Sequence, residues 1–232
     1  MARVLVTGAN RGLGLEFTRE LLARGDRVYA TCRHPGKALA LTEQAGAHPG
    51  HLHVLPLDLD KERSIAELVR EVGALTDALD VLINNAGVLV SGERFGALTA
   101  KALGDTFASN VTGPVLLTQA LAPLLHKGKN AKVMNLSSQL GSISGVGGFG
   151  TPSYAISKAA LNMATRQLAA ALATQGISVF CVHPGWVQTD MGGAGAPLTP
   201  QQSVSKLLAV LDAMGARDAG RFVDREGIDV PW

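Results

Sequence analysis

Residues 3–14, RVLVTGANRGLG, join a short apolar run to a glycine-rich turn. The run Arg3–Thr7 is typical of a strand that is buried on both faces. Apolar residues then recur every four positions from Leu13 to Leu21, which predicts an amphipathic helix ending near Gly25. A dinucleotide-phosphate loop requires this order of strand, turn and helix, because glycines let backbone N–H groups approach a pyrophosphate at the helix N-terminus. The alternative is a set of turn glycines that binds no ligand.

The same alternation of strand and helix continues along the 232 residues. Further strands are predicted at residues 27–31, 51–57, 80–83, 132–136, 177–182 and 221–223, with helices between most of them. We see no linker or repeat. The pattern predicts one α/β domain over residues 1–232, doubly wound, with a mostly parallel sheet of about seven strands.

Candidate site residues follow the carboxyl ends of these strands, where ligands of doubly wound sheets lie. They are Gly8, Asn10, Arg11, Gly12, Leu13 and Gly14 after the first strand, Arg33 after the second, Asp58 and Leu59 after the third, Asn84, Ala86 and Gly87 after the fourth, Ser138 after the fifth, and Pro184, Gly185, Val187 and Thr189 after the sixth. Random placement would scatter them over both ends of the sheet. Their agreement is stronger evidence for one site than any single motif.

Tyr154 and Lys158 lie four residues apart on a predicted helix and therefore share a face. A phenol with a pKa of roughly 10 is a poor acid or base at neutral pH, and a nearby positive charge lowers that value. The pair is a candidate acid/base device. Taken alone, such a spacing more often marks a solvated pair, because Tyr and Lys four residues apart occur on many helices.

One long helix is predicted over residues 99–126, with Pro114 inside it. Proline has no N–H group, so the carbonyl of Asn110 loses its helical partner. A free carbonyl in a site can hold a water molecule. Asn110 is therefore a candidate functional residue, unless it only marks a kink.

Cofactor choice is predicted from the end of the second strand. Proteins that select NAD usually place a carboxylate there to hold the ribose 2′-OH, but Cys32 and Arg33 occupy these positions. Two guanidinium groups, of Arg11 and Arg33, could instead bind a 2′-phosphate. We therefore expect NADP(H).

Composition excludes several classes of protein. The formal net charge is only +2, with no basic block, so nucleic acid and anionic membranes are not expected as partners. No signal peptide or membrane span is predicted, which favours a cytoplasmic protein. Cys32 and Cys181 form neither a disulfide framework nor a CxxC pair, and no metal site is predicted.

Several of these motifs together resemble the short-chain dehydrogenase/reductase family. TGxxxGxG matches residues 7–14, NNAG matches residues 84–87, YxxxK matches residues 154–158, and Pro184, Gly185 and Thr189 match PGxxxT. The resemblance spans nearly the whole chain and is closest to the branch of C-factor-like proteins and carbonyl reductases. It implies a Rossmann-type fold and hydride transfer between a nicotinamide cofactor and a carbonyl or alcohol.

The resemblance also implies a role for each matched position. Tyr154 would pass a proton to the substrate oxygen, Ser138 would donate a hydrogen bond to it, and Lys158 would bind the ribose and lower the pKa of Tyr154. Asn110 would hold a water molecule that links Lys158 to solvent. Thr189 and the backbone near Val187 would hold the carboxamide.

Three readings of the function stay open. The leading one is NADPH-dependent reduction of a small apolar or aromatic ketone, aldehyde or quinone. The others are an NADP-binding regulatory or signalling protein of the C-factor type, and an NAD-dependent alcohol dehydrogenase. Leu140, Phe149, Trp186 and a lid over residues 191–197 are expected to shape the substrate pocket.

Apolar helices around residues 103–125 and 161–172 could pair between subunits, so a homodimer, a homotetramer and a monomer all stay open. Trp232 is either an anchor or a partner contact.

Overall fold

Seven parallel strands form one sheet in this computed structural model, which describes residues 1–232. The strands are β1 (Arg3–Thr7), β2 (Arg27–Cys32), β3 (Leu52–Pro56), β4 (Val81–Asn84), β5 (Lys132–Leu136), β6 (Ser178–His183) and β7 (Phe222–Asp224). Their order is β3-β2-β1-β4-β5-β6-β7, so the direction of winding reverses between β1 and β4. The predicted doubly wound α/β fold is confirmed, and the sheet is parallel throughout.

Helices cover both faces of the sheet. They are α1 (Gly12–Ala23), α2 (Leu39–Ala47), α3 (Glu62–Leu75), α4 (Ala100–Phe107), α5 (Gly113–His126), α6 (Pro152–Leu172) and α7 (Pro200–Ala213). One core lies on the face that contains Phe17 and Leu207, where α1 packs against α7. The other lies on the face of Leu68 and Leu121, where α3 packs against α5. Because both faces are buried, the strands are continuous apolar runs and not alternating ones.

The ends of several elements agree with local sequence signals. Thr199 and Gln202 form the predicted capping box of α7, with reciprocal hydrogen bonds of 3.2 and 2.9 Å. Gly176 has φ of +73° just after the short turn that follows α6, as expected of a glycine that ends a helix. Most strand boundaries differ from the predicted ones by one residue.

Two predictions about helices were incomplete. Helix α2 was not predicted, since it buries only Leu41 and has no capping side chain. The single helix expected over residues 99–126 is instead α4, a π-helical turn at Ala108–Thr112, and α5.

No helix combines the length and the apolar composition that crossing a bilayer requires. No group of three or more His, Cys, Asp or Glu side chains is arranged to hold a metal ion.

Candidate active site

The glycine turn after β1 is fastened to the segment after β4. The Thr7 hydroxyl accepts hydrogen bonds from the N–H groups of Asn85 and Ala86, both at 3.0 Å. A Cβ added to Gly8 would lie 2.9 Å from the Cα of Ala86, so only glycine permits this approach. The two motifs therefore form one rigid unit at the switch point of the sheet, where ligands of such folds bind.

The N-terminus of α1 opens into the cleft beside this unit. Arg11, its N-cap residue, makes no capping hydrogen bond through its side chain, and the first turn contains no acidic residue. The first N–H groups of the helix therefore lack the protein acceptors that normally satisfy them. Together with the close-packed glycine turn, they fit the phosphates of a dinucleotide.

A buried polar network supports the cleft from below. The Asn84 amide donates to Asn135 Oδ1 at 2.8 Å and to Thr118 Oγ1 at 3.2 Å, and Asn135 donates to Thr165 Oγ1 at 2.8 Å. This network joins β4 and β5 to α5 and α6. Asn84 therefore lies beneath the cleft, where it fixes the strand ends.

The π-helical turn Ala108–Thr112 surrounds Asn110. The Gly113 N–H donates to the Ala108 carbonyl, five residues earlier, and Pro114 follows with no N–H of its own. Such turns are frequent at functional sites because they re-aim a side chain within a helix. The proline signal therefore located an irregularity correctly, although the sequence predicted one continuous helix over residues 99–126.

The Asn110 side chain connects this turn to two other elements of the site. Its Oδ1 accepts from the Val88 N–H at 2.8 Å, and its Nδ2 donates to the Val88 carbonyl and to Ser157 Oγ, both at 2.9 Å. The Ser157 hydroxyl in turn donates to the Tyr154 carbonyl at 2.7 Å. Asn110 thus fixes the segment after β4 to the helix that carries Tyr154 and Lys158.

Tyr154 and Lys158 share a face of α6, as predicted. The Lys158 Nζ lies 5.5 Å from the Tyr154 ring centroid and donates to the Leu136 carbonyl at 2.6 Å. Burial raises the pKa of Tyr154 to about 12, which the Ser138 hydroxyl beside it partly opposes. Burial lowers the pKa of Lys158 to about 8. The expected lowering of the Tyr154 pKa by Lys158 is not seen here, because burial of the phenol outweighs it.

Ser138 follows β5 and has a defined hydroxyl orientation. Its Oγ accepts a hydrogen bond from the Leu140 N–H at 3.1 Å. This leaves the hydroxyl hydrogen free to donate to another acceptor. Gly141 packs directly on α6, where an added Cβ would lie 2.9 Å from the backbone carbon of Lys158.

Positive side chains cluster at the opposite end of the cleft. Arg11 and Arg33 line both the cleft and a shallow hollow beside it, which also contains Lys37. Arg11 Nη1 forms an ion pair of 2.6 Å with Asp190 Oδ2, and the two side chains are 67% and 73% exposed. Cys32 lines the same hollow, and no carboxylate lies at the end of β2.

Asp58 lines the middle of the cleft. Its carboxylate forms an ion pair with Lys61 at 2.8 Å, and this hydrogen bond is the main reason why the pKa of Asp58 is lowered. Asp58 therefore stays ionised at neutral pH and can accept hydrogen bonds.

The apolar residues that were predicted to shape a substrate pocket differ in position. Leu140, Phe149 and Trp186 are exposed and lie outside the lining of the cleft, whereas Met191 lines the cleft itself. The Trp186 indole donates to the Gly192 carbonyl at 2.7 Å, which holds the predicted lid segment in a turn.

The cleft brings together most of the predicted residues. It is lined by Gly8, Asn10, Arg11, Gly12, Leu13, Arg33, Asp58, Leu59, Ala86, Gly87, Tyr154, Lys158, Pro184 and Thr189. The predicted residues outside this lining are Gly14, Asn84, Asn110, Ser138, Gly185 and Val187. Of these, Gly14 packs on the Gly8 carbonyl, and Val187 pairs with Leu198.

Further lining residues were not predicted. They are Thr31, Cys32, Leu57, Asp60, Asn85, Val88, Ser109, Leu136, Ser137 and Asp190, whereas Met191, which also lines the cleft, begins the predicted lid. Most are direct neighbours of predicted positions at strand ends, so a wider window at each strand end would have included them. Ser109, which shares a 2.6 Å hydrogen bond with Asp60, lies inside a predicted helix and had no such signal.

Comparison with known proteins gave consistent findings. A family profile described as short chain dehydrogenase matches residues 2–197. The C-signal of Myxococcus xanthus is 41% identical over 157 residues, covering 68% of this chain and 95% of that protein. The NADPH-bound carbonyl reductase from chicken fatty liver superposes with a TM-score of 0.95 at 37% identity, covering 100% of this chain and 99% of the other. The carbonyl reductase Sniffer of D. melanogaster gives 0.96 at 36% identity and covers 100% of both chains.

Proposed function

The chain belongs to the short-chain dehydrogenase family, and from this membership we propose that it is an NADPH-dependent reductase of a small apolar or aromatic ketone, aldehyde or quinone. One observation carries the proposal. Tyr154 and Lys158 on α6 line one end of a cleft that also contains the glycine turn, and Ser138 after β5 and Asn110 in the π-helical turn approach them from two further segments of the chain. The set contains every group that proton transfer to a carbonyl oxygen needs.

The cleft has separate places for the parts of the cofactor. The glycine turn and the N-terminus of α1 would hold the phosphates, and Asp58 would accept a hydrogen bond from the adenine amino group. Lys158 would donate to the ribose hydroxyls, while Thr189 would hold the carboxamide. When bound, NADPH supplies the hydride.

Tyr154 is the proton donor in this proposal. With a pKa raised to about 12 by burial, its phenol keeps its proton at neutral pH. A neutral phenol can donate to a carbonyl oxygen that gains negative charge, and the nearby Lys158 ammonium stabilises the phenolate that forms. Burial also strengthens this stabilisation, because less solvent screens the two charges.

Ser138 provides the second donor to the same oxygen. Since Leu140 N–H occupies an acceptor position on its Oγ, the hydroxyl hydrogen can point to the substrate. Preorganised donors of this kind typically contribute about a hundredfold to a thousandfold in kcat.

Asn110 and Lys158 would return the proton to Tyr154. All three hydrogen bonds of the Asn110 side chain are used by Val88 and Ser157, and Pro114 cannot bond to the Asn110 carbonyl. That carbonyl can hold a water molecule that connects Lys158 to solvent.

The cations at the other end of the cleft favour NADPH over NADH. Arg33 and Lys37 would bind the 2′-phosphate, and Arg11 would join them if its ion pair with Asp190 opens. The chicken carbonyl reductase, which has the same fold throughout, is NADPH-bound.

A regulatory or signalling role is the second candidate, and the 41% identity to the C-signal of Myxococcus xanthus favours it. The complete catalytic set argues against a role in signalling alone. A Tyr154→Phe variant that binds cofactor but keeps the cellular phenotype would separate the two roles.

The direct test is fluorescence titration of the purified protein with NADPH and then with NADH. We expect tight NADPH binding, weak NADH binding, and reduction of the quinone menadione that depends on Tyr154. Preference for NADH would favour the alcohol dehydrogenase reading, and binding of neither would favour the regulatory one.

A further inference from the structure

Residues after β7 fold back along that strand. The Val230 N–H donates to the Phe222 carbonyl at 2.9 Å, and the Asp224 N–H donates to the Ile228 carbonyl at 2.8 Å. This antiparallel pairing fixes the direction of the last residues. It brings Trp232 to a point between β7 and α6.

Trp232 contacts three elements there. Its ring centroid lies 5.5 Å from that of Phe222 in β7, and the guanidinium carbon of Arg166 in α6 lies 5.9 Å from the ring centroid. Its carbonyl oxygen accepts from both the N–H and the hydroxyl of Ser144, at 3.0 and 2.7 Å. Ser144 belongs to the segment that leads from Ser138 toward Tyr154.

This segment, residues 138–145, is a run of tight turns. The Gly141 N–H donates to the Ser138 carbonyl at 2.8 Å, and the Ser142 N–H donates to the Gln139 carbonyl at 3.0 Å. Ser142 Oγ accepts from the Gly145 N–H at 3.2 Å and lies 3.4 Å from Ser144 Oγ. A displacement of Ser144 would therefore be passed back to Ser138.

Little apolar packing holds the far end of this segment. Ile143 and Val146, which flank Ser144, are 73% and 66% exposed. The near end is fixed to α6, where Asn162 Nδ2 donates to the Gly141 carbonyl at 3.1 Å. The directed hydrogen bonds to Trp232 are thus the contact that fixes the far end to the body of the protein.

We propose that Trp232 is a positioning residue that holds residues 138–145 in place and so sets the orientation of the Ser138 hydroxyl toward the substrate oxygen. The inference rests on the proposed reductase activity for its catalytic part. The sequence left open whether Trp232 is an anchor or a partner contact. On this proposal it is an internal anchor.

Two variants and a control test the anchor itself. Trp232→Ala removes the ring contacts with Phe222 and Arg166, whereas Trp232→Phe keeps an aromatic ring. Ile228→Ala, in the same returning segment but with an exposed side chain, is the control. The ring contacts with Phe222 and Arg166 hold the main-chain oxygen of Trp232 against Ser144. We therefore expect amide hydrogen exchange in residues 138–146 to become about tenfold faster in Trp232→Ala only, because local opening of the segment costs less free energy when these contacts are lost. Unchanged exchange in that variant would overturn the inference.

The catalytic part is tested by a double-mutant cycle with NADPH and menadione. If Trp232 acts through Ser138, Trp232→Ala lowers kcat about tenfold in the wild-type chain, a fraction of the loss expected from removing the donor itself. In a Ser138→Ala chain the same change lowers kcat less than about twofold, since coupled residues are not additive. The dissociation constant for NADPH stays within about twofold in all variants, and Trp232→Phe restores most of kcat.

Equal losses of kcat in both backgrounds would overturn the link to Ser138 and leave only a general loss of stability. A wild-type chain that binds NADPH but does not reduce menadione would count against the proposed function for quinones. The exchange experiment would still decide whether Trp232 anchors the segment.

Discussion

The two ends of the cleft are built in opposite ways. At the catalytic end, Tyr154, Lys158 and Asn110 are buried, and the side chain of Asn110 makes three hydrogen bonds. At the cation end, Arg11 and Arg33 are exposed, and the ion pair of Arg11 with Asp190 lies in solvent. Burial shifts pKa values and makes lost hydrogen bonds costly, whereas water screens exposed charges. The first end should therefore respond to substitution strongly and the second weakly.

The largest effect is expected from Tyr154→Phe. The change removes the proposed proton donor but keeps the ring, so kcat should fall by about a hundredfold to ten-thousandfold while NADPH affinity stays within about twofold. Stopped-flow or steady-state reduction of menadione measures the loss.

Tyr29, the other tyrosine of the chain, provides the matched control. It is also buried, and its hydroxyl has no hydrogen-bond partner. Tyr29→Phe should leave kcat unchanged. A loss of kcat in this control as large as that in Tyr154→Phe would show that buried tyrosines affect turnover through the fold.

Asn110→Ala tests the buried network next to the acid/base pair. Removal of the amide leaves the Val88 N–H and carbonyl without their partner, while the Ser157 hydroxyl loses one of its two hydrogen bonds and keeps the one to the Tyr154 carbonyl. Each unsatisfied buried group costs about 1 to 3 kcal/mol, and partial relaxation should leave a total near 3 kcal/mol. Urea unfolding measures this difference in the free energy of unfolding.

Ser109→Ala is the control for that measurement. Ser109 is the preceding residue of the same π-helical turn, but its hydroxyl bonds to Asp60 in an exposed position. Its loss should change the free energy of unfolding by less than about 0.5 kcal/mol. Similar values for both variants would contradict the contrast between buried and exposed polar groups.

The pH dependence of stability tests the burial of Lys158. Its pKa is about 8 in the folded chain and 10.5 when it is unperturbed, so between these values the unfolded state binds more protons. The free energy of unfolding therefore rises with pH in that window, by up to about 1.4 kcal/mol per pH unit. Above pH 10 the raised pKa of Tyr154 has the opposite effect, because the folded state then binds more protons.

The measurement compares urea unfolding of the wild type and Lys158→Met at pH 7.5 and pH 9.5. The wild type should gain about 1 to 2 kcal/mol relative to the variant, whose neutral side chain does not titrate. Parallel pH profiles would mean that folding does not lower the pKa of Lys158.

The sequence predicted the catalytic end more completely than the cation end. The end of an apolar strand is a reliable signal for a site residue. A strand buried on both faces is apolar, so the first small or polar residues after it mark where the chain leaves the core. The glycine turn and Ser138 follow such strands, whereas Tyr154 was predicted from its spacing to Lys158 on one helix. Their convergence could be predicted because parallel strands share one carboxyl edge.

Other features depend on tertiary structure that no local pattern encodes. Lys37 reaches the cation cluster through a short turn at Pro35–Lys37 that gives no periodic signal. Asp190 pairs with a residue 179 positions earlier. The rise in the Tyr154 pKa follows from burial, which spacing alone cannot measure, and so its direction was missed.

At the cation end, Arg33→Ala should weaken NADPH binding by about tenfold, the effect of one charge-assisted hydrogen bond to a phosphate. The affinity for NADH, which lacks that phosphate, should not change. The penalty should shrink in 0.5 M salt, since exposed charges are screened. Lys37→Ala should act additively in the same direction, and equal losses for NADH and NADPH would place both cations away from the 2′-phosphate.

Asp190→Asn should have the smallest effect, and its direction is informative. An exposed ion pair contributes about 0.2 to 1 kcal/mol, so the dissociation constant for NADPH should change by less than about fivefold. If Arg11 binds the 2′-phosphate, loss of Asp190 frees its guanidinium, and NADPH affinity rises while NADH affinity stays constant. If the pair instead closes the glycine turn onto the Thr189 segment, both cofactors bind more weakly and dissociate faster. The ratio of the NADPH and NADH affinities therefore shows whether Arg11 binds the 2′-phosphate or whether its ion pair holds the cleft closed. Arg11→Ala should reverse the change in the first case only.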